Sequence, residues 1–320
     1  MIISIAMCTY NGDKYIQAQL DSLARQSRLP YELIICDDCS TDETLSIAES
    51  FSRSAKFIVK IYKNDYNAGS TKNFEKAISL CQGDIIALSD QDDVWHADKL
   101  KLIDDSFSQS IHVGALFSNG NVVSENLLPL GYTLWDIFKF SKKDRFLFAN
   151  GKSTDLLLNH NFITGATLAF RSHFRDIILP IPHLWVHDAW IALILSVTSR
   201  IGFIDKELIE YRQHEAQQIG GSKKKISAQT NTSTLQIELE QQLVQFGELI
   251  DHICRIIPDS NNVSVMIVKR IIHINNRIII LRSKFFERII KSIQELCTAR
   301  YHKYSDGYKS FLKDIIRFKR

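Results

Sequence analysis

The segment G83-D-I-I-A-L-S-D-Q-D-D-V-W95 joins two environments that do not mix. Ile85 to Ser89 is an apolar run too short for a helix and bounded by polar residues, the mark of a strand buried on both faces. Asp90, Asp92 and Asp93 follow at once, three carboxylates crowded where the strand stops. Such groups repel one another and hold protons more tightly unless something positive lies among them. In open parallel sheets ligands bind beyond the carboxyl ends of the strands, so this junction marks both a sheet and a site.

Two earlier segments repeat the design. M1-I-I-S-I-A-M-C-T9 runs into Tyr10-Asn11, and E32-L-I-I-C-D37 runs into Asp38. Helical spacing over 13–26, 42–52 and 71–81 separates these runs from each other and from the alternating K56-F-I-V-K-I-Y-K63. Strand and helix in turn predict βαβ units, hence an α/β fold with a mostly parallel central sheet. Further on, G114-A-L-F-S-N-G120 and F162-I-T-G-A-T-L-A-F-R171 read as strands flanking a polar or helical stretch near 132–160. H187-D-A-W-I-A-L-I-L-S-V-T198 reads as a buried helix, followed by a strand at R200-I-G-F-I-D-K206. The polar stretch Gly220–Thr234 reads as a linker, dividing the chain into an α/β domain over 1–222 and a helical region over 223–320.

The 320 residues are 45% hydrophobic and 23% charged, enough for a sizeable core. A net charge of +3 conceals an asymmetry: residues 223–320 carry 18 Lys and Arg against 9 Asp and Glu, and residues 1–222 carry 21 against 27. No run of apolar residues is long enough to span a bilayer, and Met1-Ile-Ile-Ser-Ile lacks the pattern of a secretory leader, which predicts a cytoplasmic protein. Six scattered cysteines then read as free thiols. Cys36-Asp-Asp-Cys39 lacks the second ligand pair of a zinc site, and Cys36 reads as strand core.

Oxygen ligands without a neighbouring Cys or His suit Mg²⁺ or Mn²⁺, which complete their shells with substrate phosphates. Neither G-x-x-x-x-G-K-[ST] nor a G-x-G-x-x-G after the first strand is present, so the metal rather than a glycine loop is expected to hold the phosphates. T9-Y10-N11-G12, D37-D-C-S-T-D42, N67-A-G-S-x-x-N73, G83-D84 and S89-D-Q-D-D-V-W95, in this order over residues 1–215, resemble the nucleotide-sugar domain of family 2 glycosyltransferases of the GT-A type. The D-Q-D-D-V-W form most resembles bacterial rhamnosyltransferases that build surface polysaccharide.

The resemblance implies an inverting transfer of a sugar, rhamnose in its narrowest form, from a dTDP- or UDP-sugar to a lipid-linked or glycan acceptor. It implies that Thr9 and Tyr10 line the pyrimidine pocket and that Asp38 accepts from the base N–H, with Asn11, Asn67 and Asn73 also on the nucleotide side. Asp90 is then assigned to the nucleotide, and Asp92 or Asp93 to the metal. Asp188, in V186-H-D-A-W190, stands where the family places its catalytic base, and its position at a helix start favours the charged form. Gly165 and Trp185 fall on the acceptor side. Tyr211-Arg212-Gln213-His214 resembles the segment that closes over the diphosphate, with Arg212 on the phosphates and His214 on phosphate or metal. Cys39 replaces the usual glycine of D-D-G-S.

Two other readings compete. A sugar nucleotidyltransferase would need a basic glycine-rich loop after the first strand, which T9-Y-N-G-D13 does not offer. A sugar-nucleotide-binding scaffold would leave Asp188 without a purpose. In the tail, helices are expected over 235–257 and 263–300, and Arg270, Arg277, Lys284 and Lys291 recur every seventh residue beside a wide apolar face. That stripe predicts contact with an anionic membrane surface on the inner face of the cell membrane, or packing on neighbours, a second copy included. Without aromatic interleaving it is not a nucleic-acid surface.

Overall fold

The computed structural model describes residues 1–214, 232–257 and 261–316. The stretch expected to be a linker therefore lies, up to residue 231, outside the described residues. Among the described residues nine strands form one sheet: β1 (Ile3–Thr9), β2 (Glu32–Asp37), β3 (Ile58–Lys63), β4 (Ile85–Ser89), β5 (Val94–Trp95), β6 (Val113–Val123), β7 (Pro129–Thr133), β8 (Ala169–Arg171) and β9 (Arg200–Arg212). Their order is β3-β2-β1-β4-β8-β6-β9-β5, with β7 beside β6. β1, β2 and β4 are buried along their whole length, which is why they read as unbroken apolar runs.

The first four strands are parallel, and from β8 onward directions mix: β8 runs antiparallel to both β4 and β6, while β6 and β9 are parallel. Register levels the strand ends. Thr9 lies opposite Asp37, Asp37 opposite Lys63, and Met7 opposite Ser89, so the three polar clusters share one edge. The segment 162–171, expected to be one strand, is extended only over Ala169–Arg171. Before it, Gly165–Thr167 makes a turn of 3₁₀-helix, because Thr167 bonds back to the carbonyl of Thr164 through both its N–H and its hydroxyl. Since β8 is antiparallel to β4, that turn falls at the same edge as Asp90.

The helices are α1 (Asp13–Ala24), α2 (Thr44–Ser54), α3 (Ser70–Leu80), α4 (Lys99–Gln109), the short α5 (Leu134–Ile137), α6 (Lys142–Leu147), α7 (Ser153–Leu157) and α8 (Arg175–Ile178), and α9 (His187–Thr198). The tail adds α10 (Thr232–Ile256), α11 (Asn261–Arg282), α12 (Phe285–Cys297), α13 (Arg300–Tyr304) and α14 (Tyr308–Ile315). Residues 1–153 with 161–223 make one compact unit, and 154–160 with 224–320 make another.

Within the second unit the helix expected over 263–300 breaks at Ser283-Lys284. The break is stabilised by the buried Arg288, whose Nε donates to the carbonyl of Ile280 at 3.3 Å and whose Nη2 donates to that of Leu281, capping the end of α11. The basic stripe does not face outward as one row. Arg270 and Arg277 are 9% and 7% exposed, and Arg277 holds Asp314 through Nε at 2.7 Å and Nη2 at 2.8 Å. The outward side of α11 instead carries Val265, Val268, Ile272 and Ile279. Heptad spacing placed these charges on one line of a helix; which way that line turns was decided by a carboxylate on α14.

Candidate active site

At the ends of β1 and β2 the loops tie each other down. Asp37 is buried and accepts from the Thr9 hydroxyl at 2.8 Å, the Ser40 N–H at 2.8 Å and the Ser40 hydroxyl at 2.5 Å. The Asn11 N–H donates to Ser40 Oγ and its side-chain oxygen accepts from the Thr41 N–H, both at 2.9 Å. Asn11 and Cys39 sit in left-handed backbone, at φ 45° and 72°. Asp38 accepts from Asn64 Nδ2 and from the N–H groups of Ala68 and Gly69, each at 2.8 Å. A carboxylate has about four acceptor positions, and three of those of the buried Asp38 are filled.

Not every residue assigned to the nucleotide offers itself. Asn73 is 2% exposed and donates to the Cys36 carbonyl at 2.7 Å while accepting from Asn64 at 3.0 Å, so its amide holds the framework. Thr9 likewise spends its hydroxyl on Asp37. Asn67 is exposed and turns back on the Gly69 N–H at 3.1 Å. Tyr10 is 39% exposed, and Gln91 bonds both its N–H and its carbonyl at 2.9 Å, fastening the end of β1 to the acidic turn.

The three acids of that turn point different ways. Asp92 Oδ2 stands 2.8 Å from His214 Nε2, and the His214 ring lies 4.4 Å from that of Tyr15. Asp93 is buried; one oxygen accepts from the Arg212 N–H at 3.2 Å and the other has no partner. Asp90 is half-buried, and burial, then the charges of Asp92 and Asp188, push its carboxyl up to about 7. Asp93 is pushed well above the usual carboxylate range, chiefly by burial and then by Asp92 and Asp90. The cation among them is Lys99. It is 1% exposed, donates to the Ala166 carbonyl at 2.6 Å and lies 3.6 Å over the Trp95 ring. Burial lowers its ammonium to about 7, against the pull of Asp93 and Asp90.

Arg212 spends two of its donors on backbone carbonyls. Its Nε donates to the Asp92 carbonyl at 2.7 Å, its Nη1 to that of Glu125, and the guanidinium lies 5.0 Å over Tyr15. It braces the acidic turn from behind.

Asp188 is held through both of its oxygens. It lies in the first turn of α9 and is half-buried; one oxygen accepts from the Gly165 N–H at 3.1 Å and the other from Asn161 Nδ2 at 3.2 Å. The helix start was expected to keep it acidic. Burial wins, and its carboxyl rises to about 6 despite the bonds from Gly165, Ala189 and Asn161. Gly165 is needed beneath His187, because a β-carbon there would stand 2.6 Å from His187 Nε2. Trp185, expected on the acceptor side, is 7% exposed and packs on Trp190 with ring centres 5.6 Å apart.

Residues 4–178 match glycosyl transferase family 2. The chain belongs to that family. It is 30% identical over 226 residues to the dTDP-rhamnosyl transferase RfbG of Shigella flexneri, an alignment covering 68% of this chain and 74% of that one. The solved fold of Staphylococcus aureus TarS 1-349 in complex with UDP-GlcNAc superposes with a TM-score of 0.56 at 19% identity, covering 98% of this chain and 89% of that one. The mannosyltransferase PcManGT of Pyrobaculum calidifontis, in complex with GDP-Man and Mn²⁺, superposes with a TM-score of 0.52 at 14% identity, covering 97% and 78%. The first unit therefore has the GT-A fold.

As a family 2 glycosyltransferase the chain has a donor set suited to a hard divalent ion. Among the described residues no three His, Cys, Asp or Glu side chains converge as a finished cage. Asp92 and His214 nevertheless share one position, and the second oxygen of the buried Asp93 lacks a partner. Such donors would fit Mg²⁺ or Mn²⁺ if substrate phosphates supplied the remaining ligands. Lys99 and His187 were not singled out from the sequence. Lys99 had a signal, a lysine opening an apolar helix just after the acidic turn. His187, stacked 4.0 Å from Phe74 with neither ring nitrogen partnered, was hidden beside Asp188.

Proposed function

We propose that the chain is an inverting, divalent-metal-dependent glycosyltransferase that moves a sugar from a nucleotide diphosphate donor to a hydroxyl of a lipid-linked or glycan acceptor. The observation that carries this reading is Asp188, a carboxylate oriented by Gly165 and Asn161 and close enough to Asp90 for their charges to couple. A base with its pKa raised toward neutrality takes an acceptor proton efficiently. The electron pair of that O–H then attacks the anomeric carbon, and the bond to the donor phosphate breaks with its pair leaving on the diphosphate. Tyr10, Asn11 and Asp38 frame the nucleotide, while Gln91 and Arg212 hold the acidic turn in register. Asp92 and His214 would hold the ion, whose chemistry is neutralisation of the leaving diphosphate.

Rhamnose and dTDP are supported by the likeness to the dTDP-rhamnosyl transferase, and Mn²⁺ by the ion named with the mannosyltransferase. Isothermal titration with dTDP and UDP, with and without Mn²⁺, tests the reading on wild type, Asp92→Asn and Asp188→Asn. Metal-dependent binding lost in Asp92→Asn and kept in Asp188→Asn is expected, with dTDP preferred. A folded wild type that binds neither nucleotide in the presence of metal would overturn the reading.

A further inference from the structure

Helix α12 is built inside out. Its buried side chains are Arg288, Ser292 and Glu295, and its exposed ones include Phe286 at 79%, Ile290 at 56%, Phe285 at 55% and Ile293 at 48%. Its neighbour α14 repeats the pattern, burying Ser310 and Asp314 while Tyr308 and Leu312, with Ile316 one residue past its end, form an exposed i, i+4, i+8 stripe. A surface helix ordinarily turns its apolar stripe to the core. Here the core side is occupied by charge. Glu295 accepts from His273, Asn276 and Arg300, Asp314 from Arg277 and Tyr301, and Arg288 caps α11. Rotating either helix to hide its phenylalanines or leucine would strand these buried charges, a worse arrangement than an exposed apolar face. The outward faces are thus not spare core.

We infer that α12 and α14 dock the second unit on an anionic lipid surface. Charge decides the occupant. Lys284, Lys303, Lys309 and Lys313 are exposed on these helices and their flanks, against the exposed acids Glu287 and Asp306, while Arg282 is paired with Glu240 at 2.7 Å. Apolar and aromatic side chains beside a cationic rim are what an interfacial helix presents to acidic headgroups. A second copy of the same face would bring rim against rim, like charge on like. Among the described residues no helix is long and apolar enough to cross a membrane, so the contact is one of lying on the surface. The heptad of Arg270 and Arg277 plays no part in it, being turned inward.

The test is flotation of the whole chain with phosphatidylcholine vesicles, alone or containing phosphatidylglycerol. Wild type should float with the anionic vesicles, remain below with the neutral ones, and be released by salt. The double variant Phe285→Ser, Phe286→Ser should lose about tenfold or more in partitioning. Lys309→Gln with Lys313→Gln should lose about fivefold per charge. All four side chains are exposed, so thermal midpoints should hold, and nucleotide binding should be unchanged, which separates this inference from the reading of the active site. Failure of the wild type to float at low ionic strength would overturn it, as would flotation indifferent to the two phenylalanines. So would a concentration-dependent dimer in sedimentation velocity that Phe285→Ser, Phe286→Ser dissolves, which would give the face to a second copy.

Discussion

The Gly165 N–H donates to the Asp188 carboxylate at 3.1 Å, and the side of Gly165 that has no β-carbon is filled by His187 Nε2. One glycine thus positions the acid and makes room for the residue before it. Gly165→Ala must push His187 off Phe74 or tilt the turn, and either moves the bond to Asp188. A loss of about 1–3 kcal/mol in stability is expected, with a drop in kcat larger than any change in KM for the donor. Unchanged kcat in a folded Gly165→Ala protein would remove Gly165 from the positioning of Asp188.

Asp188→Asn keeps the shape, can accept from only one of the two donors Asn161 Nδ2 and Gly165 N–H, and cannot take a proton. Transfer should fall about 10²–10⁴-fold while nucleotide affinity stays. In wild type the acid is active only when ionised, and burial has raised it to about 6. The rate should therefore rise with pH through about 6 and level off above it. Measuring kcat/KM from acidic to neutral pH checks this; a rate falling over that span would rule out Asp188 as the base.

Lys99 is the cation that remains with the carboxylates of the chain itself. Asp90 and Asp93 have folded-state pKa values above those of an unfolded chain, so their contribution is fully present at low pH and is lost as pH rises through about 7 for Asp90. Lys99 adds a linkage of its own: burial lowers its ammonium to about 7, so the cost of burying that charge is full below about pH 7 and fades above it. Lys99→Met escapes that cost, so relative to wild type the variant should be more stable at pH 5 than at pH 8, read from urea denaturation beside wild type. An equal difference from wild type at both values would mean that Lys99 acts through packing on Trp95 alone.

Cys39 holds φ 72°, where a β-carbon is crowded and glycine is not. Cys39→Gly should leave stability unchanged or raise it by up to about 1 kcal/mol, and Cys39→Val should lower it by about 1–2 kcal/mol. Thermal denaturation decides, and a valine variant as stable as wild type would show that the turn relaxes out of this conformation.

In the second unit Glu295 is drawn down to about 2: burial works against the charged form, but Arg300, His273 and Asn276 all favour it. Its folded pKa lies below the unfolded value, so its stabilisation is present above about pH 4.5 and fades as pH falls toward 2. Glu295→Gln should cost about 3 kcal/mol at pH 7, with the difference from wild type shrinking below pH 4. A difference independent of pH would assign the cost to shape rather than charge.

The strands were legible because burial on both faces leaves an unbroken apolar run, and polar residues mark where each run stops. The polar strand ends followed from the same signal, since parallel register aligns them without help from distant residues. The family followed from spaced motifs. What the linear order could not carry was direction. Arg212 and Asn73 have the chemistry of ligands, and each gives donors to carbonyls that only folding brings near. Arg270 and Arg277 form a regular basic row in the chain, and whether that row meets solvent depended on Asp314, 37 residues beyond Arg277. The acidity of Asp188 was misjudged for the same reason. A helix start is local and readable in sequence, whereas desolvation is a property of everything packed around the group, and at this site desolvation is the larger effect.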